Sequence, residues 1–364
     1  MYNPAMRTLA ATLIALLALP ILAQLKIQTV TGTGVKGFSG DGGPADKAQV
    51  NNPFGLVRGP DGALYVCDTD NHVMRKIDKA GMITTVAGTP GKKGFAGDGG
   101  AATAALMNEP YEVRFDAAGN MLVVERLNHC VRKIDAKTGV ISTVAGTGGK
   151  LGFGGDGGPA TAALMSQPHS IGLDPAGDLY VCDIINHRIR KVDMKTGVIT
   201  TFGGTGEKKT APDGSKVDGA PLFGPRAIDF DKNGDMWLAL REGNAVYRID
   251  MKARTLHHVA GTGKKGFTGN GGPAKAATLS GPKGVAIAPG GNVYLADTES
   301  HSVRMIDLKT GKLELVAGTG EKGDGPGDGD PLKCKMGRPH GVFVDADGAV
   351  YVGDSEAHRV RVIK

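Results

Sequence analysis

Short runs in which apolar and polar residues alternate recur along this chain, and the stretch from Gly152 to Phe202 holds one complete set. HSIGLD has strand spacing, and Pro175-Ala176-Gly177 then turns the chain. DLYVC is a second short strand, rich in residues that favour sheets. Asp183 to Asn186 makes the next turn, HRIRKVD alternates apolar with basic residues, MKTG turns again, and VITTF is a fourth strand. Four short strands joined by tight turns predict one antiparallel sheet, with the Gly-rich lead-in as a long connection.

The unit repeats. Aligned on the residue that closes the second strand, it recurs at Asp68, Glu125, Asp183, Leu240, Asp297 and Asp354, at intervals of 57 or 58 residues. A fixed period of this size marks a repeat architecture. Four-stranded sheets at this spacing suit a β-propeller, and six copies make six blades. One blade cannot bury both its faces, so each is stabilised by stacking on its neighbours. The fold expected is therefore all-β: a six-bladed β-propeller with four antiparallel strands per blade.

The two ends complement each other. KIQTVTGTG at Lys26–Gly34 matches the fourth-strand strings MITTVAGTP, VISTVAGTG and LELVAGTG, yet no first three strands precede it. The last repeat stops at Lys364 after its third strand. The pattern predicts that Ile27 to Thr31 pairs beside Val360 to Ile363 and closes the ring, removing two open edges.

The strings CDTDNHVMRKID, VERLNHCVRKID, CDIINHRIRKVD and ADTESHSVRMID resemble the NHL repeat, and the lead-in GFSGDGGPA resembles a version common in bacterial secreted proteins. The resemblance runs from Leu25 to Lys364. It implies the propeller fold and says little about function, because that fold hosts binding modules and enzymes alike.

Composition changes the picture in three places. Glycine, 58 of 364 residues, would suggest disorder without the repeat; with it, the glycines fall at turns and lead-ins. The net charge of +6 gives a mildly basic surface, which by itself is no sign of nucleic-acid binding. Residues 1–23 read as a secretory signal peptide: Arg7 supplies the positive end, Leu9 to Leu22 the apolar stretch, and Ala23 a small residue at the cleavage point. That leaves 24–364 as one propeller domain, secreted or periplasmic, with no membrane span after cleavage. Cys67 and Cys182 occupy equivalent positions two blades apart and should not pair with each other. A disulfide involving Cys130 stays open, and buried free thiols are the simpler expectation for these cysteines and Cys334.

Features present in nearly every repeat read as structural. These include the histidines after the second-strand turn (His72, His129, His187, His301 and His358), expected to bond a turn or a neighbouring blade. The third-strand basic residues, such as Arg132 and Lys133, are expected to be solvated or to bond between blades. GDGG at Asp41, Asp98 and Asp156 lacks the ligand spacing of a calcium loop, so a need for glycine geometry explains it.

Function is better sought where repeats differ. Each first strand opens with Pro and then a variable residue: Phe54, Tyr111, His169, Arg226, Lys283 or His340. The first strand of a blade lines the central channel, so these six should ring one mouth, and Glu112 at the next position adds a carboxylate. Four consecutive blades bear His169, Arg226, Lys283 and His340, a basic or protonatable arc suited to an anion. Glu112 is expected to pair with Arg226 or Lys283 when the site is empty. Phe54 and Tyr111 are expected to pack an apolar or sugar-like body. Blade four departs most from the repeat, with Leu240, Asn244 and Tyr247 in place of the acid, the His and the Arg, and with the only Trp, Trp237.

PHSIGLDPAGDLYVCD and PHGVFVDADGAVYVGD are also similar to segments of the peptidyl-hydroxyglycine amidating lyase, a six-bladed NHL enzyme. That resemblance implies zinc near the axis on His169 and His340, but the family uses three His where this ring offers two. The expectation is an exported binding module for a small anionic molecule or a protein partner, acting as a monomer and without nucleic acid. The alternative is a metal-assisted lyase or hydrolase on the same ring. No cofactor is required by the pattern; zinc and calcium are the ions it leaves open.

Overall fold

A computed structural model describes residues 25–364. The expected signal peptide, residues 1–23, lies outside the described residues. Six antiparallel sheets follow one another in chain order, and the only helices among the described residues are three-residue 3-10 turns. None is long and apolar enough to cross a membrane.

Each blade runs from an inner strand, such as Pro168–Leu173, through Leu179–Asp183 and Arg188–Val192 to an outer Ile199–Gly203. The last blade contains Pro339–Val344, Val350–Asp354 and Arg359–Ile363, and its outer strand is Ile27–Thr31 from the other end of the chain. Ile27 pairs with Ile363 and Thr29 with Arg361, so the ring closes as the sequence predicts. Two sheets gain a two-residue fifth strand, Gly43–Pro44 and Gly272–Pro273, where the lead-in covers the outer edge. Covering the edge in this way removes an exposed template for aggregation.

The core is divided among the seams. Six apolar clusters occur, each combining side chains of adjacent blades; one joins Leu122 and Val124 to Ile171 and Val181, for example. Burying a Val, Leu or Ile contributes roughly 1.5–3 kcal/mol, so each seam needs both neighbours present. All four cysteines are free and buried, and Cys67, Cys182 and Cys334 fill seams as small apolar groups.

The third-strand arginines are not solvated. Arg75, Arg132, Arg190, Arg304 and Arg361 are fully buried inside their own blades. Arg132 pairs with Glu125 at 3.2 Å and with Asp98 of the lead-in at 2.6 Å, and Phe95 lies 5.1 Å from its guanidinium. Arg75 joins Asp68 and Asp41 in the same way, and Arg190 joins Asp183 and Asp156. The three GDGG carboxylates therefore latch their lead-ins onto their sheets, a role beyond glycine geometry. Because Arg holds them, they are poorly suited to calcium. In blade four Leu240 and Tyr247 replace the latch, and Tyr247 Oη donates to Ala211 O at 2.7 Å instead.

Candidate functional site

The mouth of the channel is assembled by bonds between blades. His72 Nδ1 accepts from the N–H of Glu109, His129 from Gln167, His187 from Gly224 and His358 from Asn52. Asn244 does the same for Gly281 through Oδ1 at 2.9 Å, so its replacement of His preserves the bond. These acceptors sit at φ 44 to 60°, the left-handed region, where Asn and His are tolerated better than most residues. Immediately after the N–H they hold comes the Pro that opens the next inner strand. In all six blades the pairing register shifts just past that Pro. A bulge of this kind re-aims a side chain. Here it turns the residue after Pro into the mouth.

The six residues expected at the mouth all line one cavity of about 280 Å³. That is near the lower end of small-molecule sites, roughly 300–1,000 Å³. Half of its floor is a continuous aromatic arc. His340 stacks on Phe54 at 4.0 Å between ring centroids, Phe54 meets Tyr111 edge-on at 4.4 Å, and Tyr111 meets His169 at 4.6 Å. Arg226 continues the arc, its guanidinium 4.8 Å from the Tyr111 centroid. Lys283 Nζ donates to Glu299 Oε1 at 2.5 Å, and Arg338 Nη2 reaches the same oxygen. Glu112 does not join this arrangement. It turns beneath the floor, where Arg114 Nη1 donates to it at 2.5 Å, so the expected pairing with Arg226 or Lys283 does not form.

Around the mouth runs a rim of ion pairs. Arg126 pairs with Glu109, with Nε to Oε2 at 2.6 Å, and Arg241 pairs with Glu242 at 3.3 Å. Arg338 also reaches Glu356 at 3.3 Å. Arg226 is different. It is 3% exposed, and among the described residues it has no ion pair and no side-chain hydrogen bond. Burial makes its charge costly to hold, an effect only partly offset by Tyr111.

The two histidines are neutral near pH 7, contrary to the expectation of a protonatable arc. Burial holds both well below the ordinary imidazole value; Arg226 adds to the effect at His169, and Lys283 and Arg226 at His340. His169 Nδ1–H donates to Gln167 O at 2.6 Å, and His340 Nδ1 lies 3.1 Å from Arg338 O and 2.8 Å from Ser355 Oγ. Because Ser355 Oγ itself donates to Arg338 O, the proton of this His340 pair sits on Nδ1. Each ring therefore keeps Nε2 as an acceptor. Burial lowers the Lys283 ammonium to about 7, against the pull of Glu299. Burial alone would raise Glu299, but its bonds to Arg338 and Lys283 bring it down to about 2.

Two imidazole acceptors beside two cations do not make a zinc centre of the kind the lyase resemblance implies. Among the described residues no group of three His, Cys, Asp or Glu could hold a metal ion. A catalytic zinc normally takes three protein ligands, and Arg226 and Lys283 would repel it.

Comparison with known proteins supports the repeat reading. The NHL repeat model matches residues 279–304 and 336–363. The chain is 30% identical over 298 residues to Protein SUPPRESSOR OF QUENCHING 1, chloroplastic, from Arabidopsis thaliana, covering 79% of this chain and 28% of that protein. It is 27% identical over 284 residues to NHL repeat-containing protein 2 from Gallus gallus, covering 70% and 38%. The chain thus spans well under half the length of both relatives. Among solved structures, an auxiliary nutrient binding protein from Bacteroides thetaiotaomicron VPI-5482 aligns with TM-score 0.68 at 18% identity, over 94% of this chain and 76% of that one. At that identity the likeness speaks for the fold.

Proposed function

The chain is an NHL-repeat six-bladed propeller, and from that premise we propose that its channel mouth binds a small anion bearing a carboxylate or phosphate. Arg226 carries the reading. A buried guanidinium without a carboxylate partner is costly, and an anionic ligand supplies the missing charge through two parallel hydrogen bonds. The rim cations are already neutralised by Glu109, Glu242, Glu299 and Glu356, so Arg226 is where added negative charge gains most. The free Nε2 atoms of His169 and His340 suit hydroxyl or N–H donors on the ligand body. The faces of Phe54 and Tyr111 suit its apolar part. Export of residues 24–364 to the periplasm or medium, as a monomer, belongs to the same proposal.

The test is titration calorimetry with carboxylates and phosphates against neutral amides and alcohols of matched shape. Acids should bind, more weakly at high salt, and neutral analogues should not. Arg226→Gln should weaken binding at least tenfold, about 1.4 kcal/mol, without lowering the melting temperature of the empty protein. Equal binding of neutral compounds, or undiminished acid binding by Arg226→Gln, would overturn the proposal.

A further inference from the structure

Lys283 has a property beyond its charge. Its side chain is 3% exposed and the residue lines the cavity, so the little of it that is open faces the mouth. The groups facing it are Glu299 from its own blade, Arg226 from one neighbour, and Arg338 and His340 from the other. Burial, Arg226 and Arg338 all disfavour the ammonium, and Glu299 favours it; the balance falls at about 7. An ordinary lysine near 10.4 keeps fewer than roughly one amine in a thousand unprotonated at neutral pH. Lys283 keeps a substantial fraction, and an unprotonated buried lysine beside another cation is a competent nucleophile toward carbonyl groups.

We propose that Lys283 captures a 2-oxo acid as an imine, with Arg226 holding the ligand's carboxylate. The inference rests on the anion-binding reading above. A 2-oxo acid fits because its carboxylate is bonded directly to the carbonyl carbon, while Arg226 and Lys283 occupy the same position in adjacent blades. The amine lone pair attacks the carbonyl carbon, a C–N bond forms, and the carbonyl electrons move to oxygen. That oxygen takes two protons that began on the ammonium and leaves as water. The product is a protonated imine with one N–H and the same single positive charge, and no oxidant or reductant is consumed. Its N–H keeps Glu299 as acceptor, so capture leaves the buried ion pair intact.

The experiment incubates the whole protein with pyruvate or glyoxylate and cyanoborohydride, which fixes the imine as a stable amine, and follows intact mass and peptide maps. One adduct per chain is expected at Lys283, with a rate that rises through pH 7 and levels by about pH 8. Surface lysines should still be gaining reactivity near pH 10. Lys283→Arg should abolish the adduct, and Arg226→Gln should slow it at least tenfold. Acetaldehyde, which lacks the carboxylate for Arg226 to hold, should label Lys283 at least tenfold more slowly than pyruvate does. Adducts spread evenly over surface lysines, or an unchanged level in Lys283→Arg, would overturn the proposal. Should Lys283→Arg fail to fold, mapping of the parent still locates the adduct, and Glu299→Gln should shift the rate profile to lower pH; an unmoved profile would count against it. Lactate separates the two readings, because it carries the acid but no carbonyl. Lactate binding without any pyruvate adduct sinks the imine alone, whereas no binding by either acid sinks the anion site as well.

Discussion

Replacing Arg132 by Met tests the latch that holds a lead-in to its blade. Arg132 is fully buried and joins Glu125, also fully buried, to Asp98 and to the lead-in carbonyl of Ala96. Without it, Glu125 keeps only Asn108 N–H and the Asn128 amide as partners. Stranding one member of a buried ion pair costs about 3–5 kcal/mol. The cost depends on pH, because burial has already raised Glu125 to about 7 even with Arg132 beside it. Its folded value lies above the unfolded one, so its contribution to stability is fully present below about pH 4.5 and is lost as pH rises through 7. Near pH 5 parent and variant both hold a protonated Glu125, and the variant loses about 1.5–3 kcal/mol of hydrogen bonding. Near pH 8 the variant must keep that proton at a cost or bury a bare carboxylate, and the full 3–5 kcal/mol applies. With roughly 2.1 cal/mol/K of unfolding entropy per residue, a ring of this size should lose on the order of 5 °C at the upper pH.

Blade four supplies the internal control. Leu240 and Tyr247 occupy the positions of Glu125 and Arg132, and the Tyr247 hydroxyl takes over the bond to the lead-in carbonyl. The double variant Glu125→Leu/Arg132→Tyr should recover most of the loss, since a well-packed apolar replacement of a buried pair is often neutral. Thermal melts and urea titrations at pH 5 and pH 8 give the comparison. A loss that does not grow with pH, or a double variant as unstable as the single one, would refute the reasoning.

Two further outcomes are expected. Deleting residues 25–34 removes the outer strand of the last blade, Ile27–Thr31, and should lower the melting temperature of the whole ring; an unchanged melt would show that closure contributes nothing. His129→Ala frees the N–H of Gln167, two residues before His169, and should cost about 1 kcal/mol of stability while weakening acid binding more than a surface substitution of equal cost. Weakened stability with unaltered binding would show that these histidines do not position the mouth.

The fold was legible because the strand pattern and its 57-residue period agree, and because the complementary ends leave one way to close the ring. The six mouth residues were legible for a related reason: a Pro marks the same point in each inner strand, so the residue after it is found by counting. The bulge beyond that Pro has no sequence signal. Without it, neighbouring residues in a strand are assigned to faces by simple alternation, and Glu112 was therefore placed with the ring instead of beneath it beside Arg114. The latch was hidden by distance: Asp98 and Arg132 are 34 positions apart and meet only when the lead-in folds back over its own sheet. Alternation of apolar and basic residues in the third strand looked like a solvent face, when the lead-in covers that face. The rim has a readable signal as well. The turn after the second strand varies between blades as the mouth does, with Arg126, Arg241, Glu299 and Glu356 among its occupants.

The distribution of charge around the ring explains why a ligand is expected at this mouth and not elsewhere. In five blades a buried arginine is matched by buried or half-exposed carboxylates of its own blade, so the repeat contains its own neutralisation. Blade four has dispensed with that arginine and its acid, placing Tyr247 and Leu240 there instead. Its buried cation stands at the mouth, as Arg226, where no repeat element supplies a partner. The next blade places Lys283 beside it and compensates with Glu299, an acid taken from a turn and shared with Arg338. Two adjacent blades thus concentrate positive charge on one side of the floor, and the opposite side offers rings in place of carboxylates. A scaffold that balances its buried charges blade by blade leaves Arg226 as the exception, and under the proposed anion-binding reading a ligand's negative charge completes it.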